Sequence, residues 1–256
     1  MRTRQLAVAA GTSAALAAAA YALYRHFAGQ QRSAADNLNS MLPVHSAWWR
    51  DRMTRSGALV YIALGDSAAQ GIGASNPGRS YVGRLSTLIR HASHGSVRTI
   101  NLGVSGATTR LCRRDQLPRL EKYTGDIVTV AIGANDIIGF EPEPFERNIR
   151  AIYSALPAHA IVAEVPAMFL PDRERKITVA NRIIHRVADE LGLTVAPLHE
   201  TTRRQGLVRT FFNSAGDLFH PNDNGYQVWA AAFEPAIAAR LAQLADAAAD
   251  APRTAD

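Results

Sequence analysis

Leu59-Val60-Tyr61-Ile62-Ala63-Leu64-Gly65-Asp66-Ser67-Ala68-Ala69-Gln70-Gly71 opens as an uncharged apolar run, stops at Gly65 and continues through Asp66 into small residues. A run that is apolar throughout predicts a strand buried on both faces, as in a parallel sheet covered by helices. Four further runs are likewise rich in Val, Ile or Leu and bounded by turn residues: Val97 to Leu102, Ile127 to Ile132, Ala160 to Val165 and Leu193 to Ala196. Between and after them, apolar residues recur at three and four over about 80 to 92, 114 to 123, 144 to 155, 176 to 191 and 222 to 243, which predicts helices. Strands alternating with helices imply a doubly wound α/β layer fold with a central parallel sheet of about five strands. Ligands in such folds bind beyond the carboxyl ends of the strands. The residues that follow each strand are therefore the places to look for chemistry.

Ser67 follows the first strand at a glycine turn, where a hydroxyl can be exposed and a backbone N–H can face an anion. The elbow G-x-S-x-G is absent, because Ala69 stands where its second glycine belongs. After the second strand, Asn101 to Thr109 contains Gly103 and Gly106, and the N–H of Gly106 suits an oxyanion donor. The third strand ends in Gly133-Ala134-Asn135-Asp136, where the Asn135 amide can donate to developing negative charge without titrating. Late in the chain, Asp217-Leu218-Phe219-His220-Pro221 places a carboxylate three residues before a histidine, so that it can turn back and fix the ring tautomer. His199, after the fifth strand, is the rival general base. Each block read alone also fits a helix cap or a tight turn.

Taken together and in this order, Gly65-Asp66-Ser67, Gly106, Asn135 and Asp217 with His220 resemble the four blocks of the SGNH hydrolases, the GDSL esterase and lipase family. The resemblance covers about Leu59 to Ala238, and the first block departs from the family in having Ala68 where leucine is usual. It implies a flavodoxin-like three-layer α/β/α domain and a serine hydrolase that needs no cofactor or metal. In that reading Ser67 is the nucleophile, His220 the base and Asp217 its orienter. Ser67, Gly106 and Asn135 form the oxyanion hole. The substrate is a small-molecule or lipid ester of an acyl or acetyl group. An O-acyltransferase to a sugar or lipid hydroxyl would use the same residues, and a non-catalytic membrane-tethered binding module is the reading outside catalysis. Ile137, Ile138 and Phe140 after the third strand, with Met168, Phe169 and Leu170 after the fourth, either line an acyl pocket or lie buried under those loops.

With 256 residues and 47% hydrophobic content the chain can bury one sizeable core. Cys112 is its single cysteine, which excludes an intrachain disulfide and any multi-cysteine metal site. Arg113 and Arg114 flank it without a neighbouring histidine to make it a nucleophile. The net charge of +6 is unevenly placed: seven arginines against two aspartates give residues 1 to 55 a charge of +5, whereas residues 56 to 245 carry only +3. No zinc-finger, P-loop or RNA-binding signature accompanies these charges, so no nucleic-acid partner is expected. The 19 residues from Leu6 to Tyr24 are uncharged and ten are alanine; as a helix they span about 28 Å, the length of a membrane anchor, and small-x-small patterns equally fit a cleaved signal. Residues 1 to 28 are thus expected to be a signal or anchor segment, giving a membrane-anchored or exported protein. Residues 29 to 56 read as a linker with a short basic, aromatic part in which Trp48 and Trp49 pack on the domain behind them. The hydrolase domain is placed at 57 to 245 and a frayed tail at 246 to 256. Oligomeric state is not legible.

Overall fold

The computed structural model describes residues 40–250 together with Tyr21, Arg25, His26, 29–34 and 36–38. Five parallel strands form one sheet: β1 (Leu59–Gly65), β2 (Val97–Asn101), β3 (Ile127–Ala131), β4 (Ile161–Ala163) and β5 (Thr194–Ala196), in the order β2-β1-β3-β4-β5. This is the flavodoxin-like order, with its switch point between β1 and β3. Around the sheet lie α1 (Leu42–Thr54), α2 (Ser67–Gln70), α3 (Tyr81–Ala92), α4 (Thr109–Leu111), α5 (Leu117–Leu120), α6 (Pro142–Ser154), α7 (Pro171–Glu190), α8 (Leu198–Arg203), α9 (Gly206–Phe212) and α10 (Asp223–Asp250). The fold is a three-layer α/β/α sandwich, as the alternation of runs implies.

Side chains alternate across a strand, so β1 feeds two cores at once. Ile62 and Leu64 point into one apolar layer with Phe145, Ile149, Ile177 and Ile184 from α6 and α7. Tyr61 and Ala63 point into the other with Tyr81, Leu85, Phe233 and Ile237 from α3 and α10. Tyr81 stacks on Phe233 with ring centroids 5.5 Å apart and ties α3 to α10. Covering both faces is why the strands carry so few polar residues.

Three boundaries differ from the sequence reading. The stretch taken as a linker contains α1, whose Trp49 is buried and whose indole N–H donates to Gln70 O at 3.0 Å. His45 Nδ1 reaches the same carbonyl at 3.0 Å, so packing against α2 begins in front of residue 57. The tryptophan does pack on the domain behind it, as expected. The helix expected over 114 to 123 is instead a π-helical turn, Cys112–Gln116, followed by the single turn of α5. The last helix runs to Asp250, into the residues expected to fray, and 251–256 lie outside the described residues. The expectation of a signal or anchor over Leu6 to Tyr24 also falls outside them, apart from Tyr21. Among the described residues no helix is long and apolar enough to cross a membrane.

Candidate active site

β1 delivers Ser67 directly. Gly65 allows the close approach that this requires, since a Cβ there would lie 2.6 Å from Ala131 O on the neighbouring strand. Its N–H and C=O are both held by the buried Gln116 side chain, at 3.0 and 2.7 Å. Asp66 then caps α2, accepting the Ala68 N–H at 2.9 Å, and Ser67 is the first residue of the helix. Gly71, at φ +84°, closes the turn in the left-handed region. Among the described residues neither the Ser67 N–H nor the Gly106 N–H meets an acceptor.

The loop before α10 brings in the other partners. His220 Nε2 is 2.9 Å from Ser67 Oγ, and His220 Nδ1 is 2.6 Å from Asp217 Oδ2. Asp217 Oδ1 accepts the N–H groups of Phe219 and His220 at 3.1 and 3.0 Å, so the carboxylate is fixed by its own loop. Burial pushes the Asp217 carboxyl up, but its bonds to the His220 ring and these two N–H groups outweigh it, and the net shift is downward. Leu218 takes φ +54° to make this return possible. The His220 loop presses on Gly73, where a Cβ would lie 2.4 Å from Pro221 O.

Asn135, in a 3-10 turn after β3, donates through Nδ2 to Ala107 O at 3.0 Å and to Asp66 Oδ2 at 3.3 Å. It therefore stands between the residue preceding Ser67 and the residue following Gly106. Gly106 has φ +74°, and the space a Cβ would enter is open. Asp66 is buried, and loss of solvation drives its carboxyl up to about 6 against the Ala68 N–H and the nearby His220.

A cleft of about 360 Å³ opens at Ser67 and His220. Its walls include Met168, Leu170, Leu207, Leu218, Phe219 and Trp229, with Arg173 and Thr210 among the polar lining. Of the residues expected for an acyl pocket, Met168 and Leu170 line this cleft. Ile137 does not: it is fully buried in the core, the second of the two readings for that loop. Phe140 packs edge-on against Phe145 with centroids 5.3 Å apart, on the same core, and Ile138 faces solvent. Phe169 is not part of the lining; it takes φ +56° between Met168 and Leu170, which are.

The wall formed by this loop is held from α7. Glu174 Oε1 accepts the N–H groups of Met168 and Phe169 at 2.6 and 2.9 Å, and Glu174 Oε2 meets His199 Nε2 at 2.9 Å. Burial raises the Glu174 carboxyl, but these three bonds more than offset it and the net shift is downward. His199, the rival base, is thus engaged with Glu174 and not with Ser67. Cys112 is buried, which pushes its thiol up to about 12 and keeps it inert. Sequence reading missed Gln116, Asp66 and Glu174 as supports, because their partners lie on other elements or carry no residue signature.

Residues 63–228 match the GDSL-like lipase/acylhydrolase family. A comparison with curated protein sequences finds no match. Among solved structures the chain is similar to TesA, at 19% identity over 71% of this chain and 99% of that one, with a TM-score of 0.60. It is similar to the psychrotrophic esterase EstA from Pseudoalteromonas sp., in a structure inhibited by monoethylphosphonate, at 21% identity over 71% and 98% with a TM-score of 0.55. It also resembles Axe2, an acetylxylan esterase from Geobacillus stearothermophilus, at 18% identity over 71% and 95% with a TM-score of 0.56. These likenesses establish the fold, and the match over most of the sheet and the His220 loop establishes the lineage: the chain belongs to the GDSL-like lipase/acylhydrolase family.

Proposed function

We propose that Ser67, His220 and Asp217 carry out the carboxylic ester hydrolysis that family membership assigns to the chain. The observation that supports this most is the unbroken relay from Ser67 Oγ to His220 Nε2, 2.9 Å, and from His220 Nδ1 to Asp217 Oδ2, 2.6 Å. Ser67 Oγ attacks the ester carbonyl carbon while its proton passes to His220 Nε2, and Asp217 stabilises the imidazolium without taking the proton. The tetrahedral oxyanion is received by the N–H groups of Ser67 and Gly106, which lack other acceptors among the described residues. Asn135 adds its amide by exchanging the 3.3 Å contact to Asp66 for the oxyanion. His220 then returns the proton to the leaving alcohol as the carbonyl reforms. Water, deprotonated by His220, hydrolyses the acyl enzyme and restores Ser67. Met168 and Leu170, with Leu207, Leu218 and Phe219, favour an apolar acyl group in the cleft. The uncharged stretch Leu6 to Tyr24 supports a protein that works at or beyond a membrane.

Hydrolysis of p-nitrophenyl esters from acetate to palmitate, measured on the full chain and on Ser67→Ala, tests the assignment. Loss of the nucleophile is expected to lower kcat by about 10⁴ or more at every chain length. A serine-reactive phosphonate should label the parent and not the variant. Retention of parental activity in Ser67→Ala would remove Ser67 from the reaction.

A further inference from the structure

α9 presents its apolar side chains to water. Val208 and Phe212 are each 70% exposed, and Leu207 and Phe211 are exposed beside them. Leu170 and Phe219, across the cleft mouth, are exposed as well. Leu207, Leu170 and Phe219 also line the cleft that holds Ser67 and His220, so the outer patch and the interior wall are one continuous apolar surface. A contiguous apolar patch of this kind marks an interaction site.

The carboxylates nearest it, Glu200 and Asp172, are taken up in ion pairs, which leaves an excess of positive charge beside it. Arg203 and Arg209 are exposed on and before α9, Arg173 stands in the cleft wall, and none of the three is ion-paired among the described residues. Arg204 is paired with Glu200. An apolar helix face edged by arginines matches anionic headgroups over an acyl interior. It does not match a second copy of itself, which would set arginines against arginines. A second observation comes from the way the chain enters. Ala34, on the described helical residues 29–34, lies against Gly216, where a Cβ would be 3.1 Å from the Ala34 methyl. Gly216 belongs to the loop between α9 and His220, and the uncharged stretch Leu6 to Tyr24 is separated by four residues from these helical residues in sequence.

We propose that α9 and the adjoining rim of the cleft dock on a lipid surface bearing anionic headgroups. Val208, Phe211 and Phe212 enter the acyl boundary while the arginines lie among the headgroups. A lipid ester then slides past Leu207 and Phe219 to Ser67 without crossing water. The proposal rests on the esterase reading only for what happens to that ester.

The test uses the full chain with an environment-sensitive nitrobenzoxadiazole label on Val208→Cys; buried Cys112 leaves the new thiol as the reactive one. Ser154→Cys, exposed at the end of α6 and at the opposite end of the sheet, is the control site. Vesicles of phosphatidylcholine and phosphatidylglycerol in equal parts are expected to shift the label at 208 to the blue, with quenching by nitroxide-bearing acyl chains, and to leave the label at 154 unchanged. Neutral vesicles or raised salt should weaken the response. Because the label reports its own surroundings, attachment through the N-terminus alone gives no signal at 208. Phe211→Ser/Phe212→Ser, whose side chains do not line the cleft, is expected to lower hydrolysis of an ester carried in the vesicle on the order of tenfold, with p-nitrophenyl acetate turnover kept. An unshifted label at 208 overturns the proposal. So does a dimer in light scattering that the double substitution dissociates, since the face would then belong to a second copy. If Ser67→Ala still hydrolyses soluble ester while the label responds, the esterase reading fails and the docking surface stands.

Discussion

Ser67 lies between two carboxylates that the fold treats in opposite ways. Asp217 is held below the usual range despite burial, because it accepts bonds from the His220 ring and from two backbone N–H groups. Asp66 is driven up to about 6 by burial, opposed less strongly by the Ala68 N–H and His220, with the Asp136 charge adding to the rise. Asp136 is itself raised by burial, against its bonds to Thr109. An unfolded chain releases the Asp66 proton near 3.8, so between about pH 4 and pH 6 the folded chain keeps a proton that the unfolded chain has lost. Its contribution to stability is therefore greatest in acid and declines as pH rises through that window, by about 3 kcal/mol for a shift of this size. Asp217 acts in the reverse sense and costs stability as pH falls through its lowered folded value. Urea midpoints of the parent and Asp66→Asn at several pH values separate the two. The parent should lose stability relative to the variant from pH 4 to pH 6, and parallel curves would refute the raised carboxyl. The residues proposed for the reaction stood out in the sequence because Ser67, Gly106 and Asn135 follow strands and Asp217 lies three residues before His220. Asp66 was read only as part of a motif, since what distinguishes it is burial between Ala68 and Asn135.

Among the elements, the five strands were legible at nearly their true positions, because each is a short stretch rich in Val, Ile or Leu bounded by turn residues, although β2 also carries Arg98, Thr99 and Asn101. β4 and β5 are shorter than the runs that announced them, since Ala160, Val165 and Leu193 are buried by packing outside the ladder. α9 was not legible for the opposite reason: its apolar residues face outward and make no core-facing stripe. α1 escaped because its apolar residues fall on no clear face, although Trp49 and His45 anchor it. The loop from β4 to α7 brings Met168 and Leu170, but not Phe169, to the cleft, and its conformation depends on a carboxylate that follows it. Glu174 holds the N–H groups of Met168 and Phe169 and fixes Phe169 in a conformation that L residues rarely adopt. Glu174→Ala removes both acceptors and frees His199. Ser67, His220 and Asp217 lose no contact. KM for long-chain esters should therefore rise on the order of tenfold, as the Met168 wall loosens, while acetate hydrolysis changes little. Equal losses for acetate and palmitate would show that the loop supports the reaction center and not the acyl group.

For the molecule as a whole, the family match begins at residue 63 and the sequence reading opened the domain at 57, yet the packing begins earlier. The second core includes Trp49, and Gln70 O, at the end of the helix that starts with Ser67, receives both the Trp49 indole and His45. Gln70 in turn donates its side-chain amide to Gly103 O, which ties α2 to the loop bearing Gly106. α1 thus supports the back of the site through one short helix, although it contributes nothing to the cleft lining. The tryptophans in residues 42 to 54 announce the packing but not its partner, a backbone carbonyl more than twenty positions away. A chain beginning at residue 57 leaves that carbonyl without either donor and opens the core at the indole, a change that costs about 3 to 5 kcal/mol for the tryptophan alone. A chain beginning at residue 29 keeps all of these contacts. In urea the first should unfold at a clearly lower midpoint and hydrolyse p-nitrophenyl acetate poorly even where folded, whereas the second should match the full chain in both. Equal midpoints for the two would place the domain boundary after α1 and reduce that helix to a passenger on the α3 and α10 face.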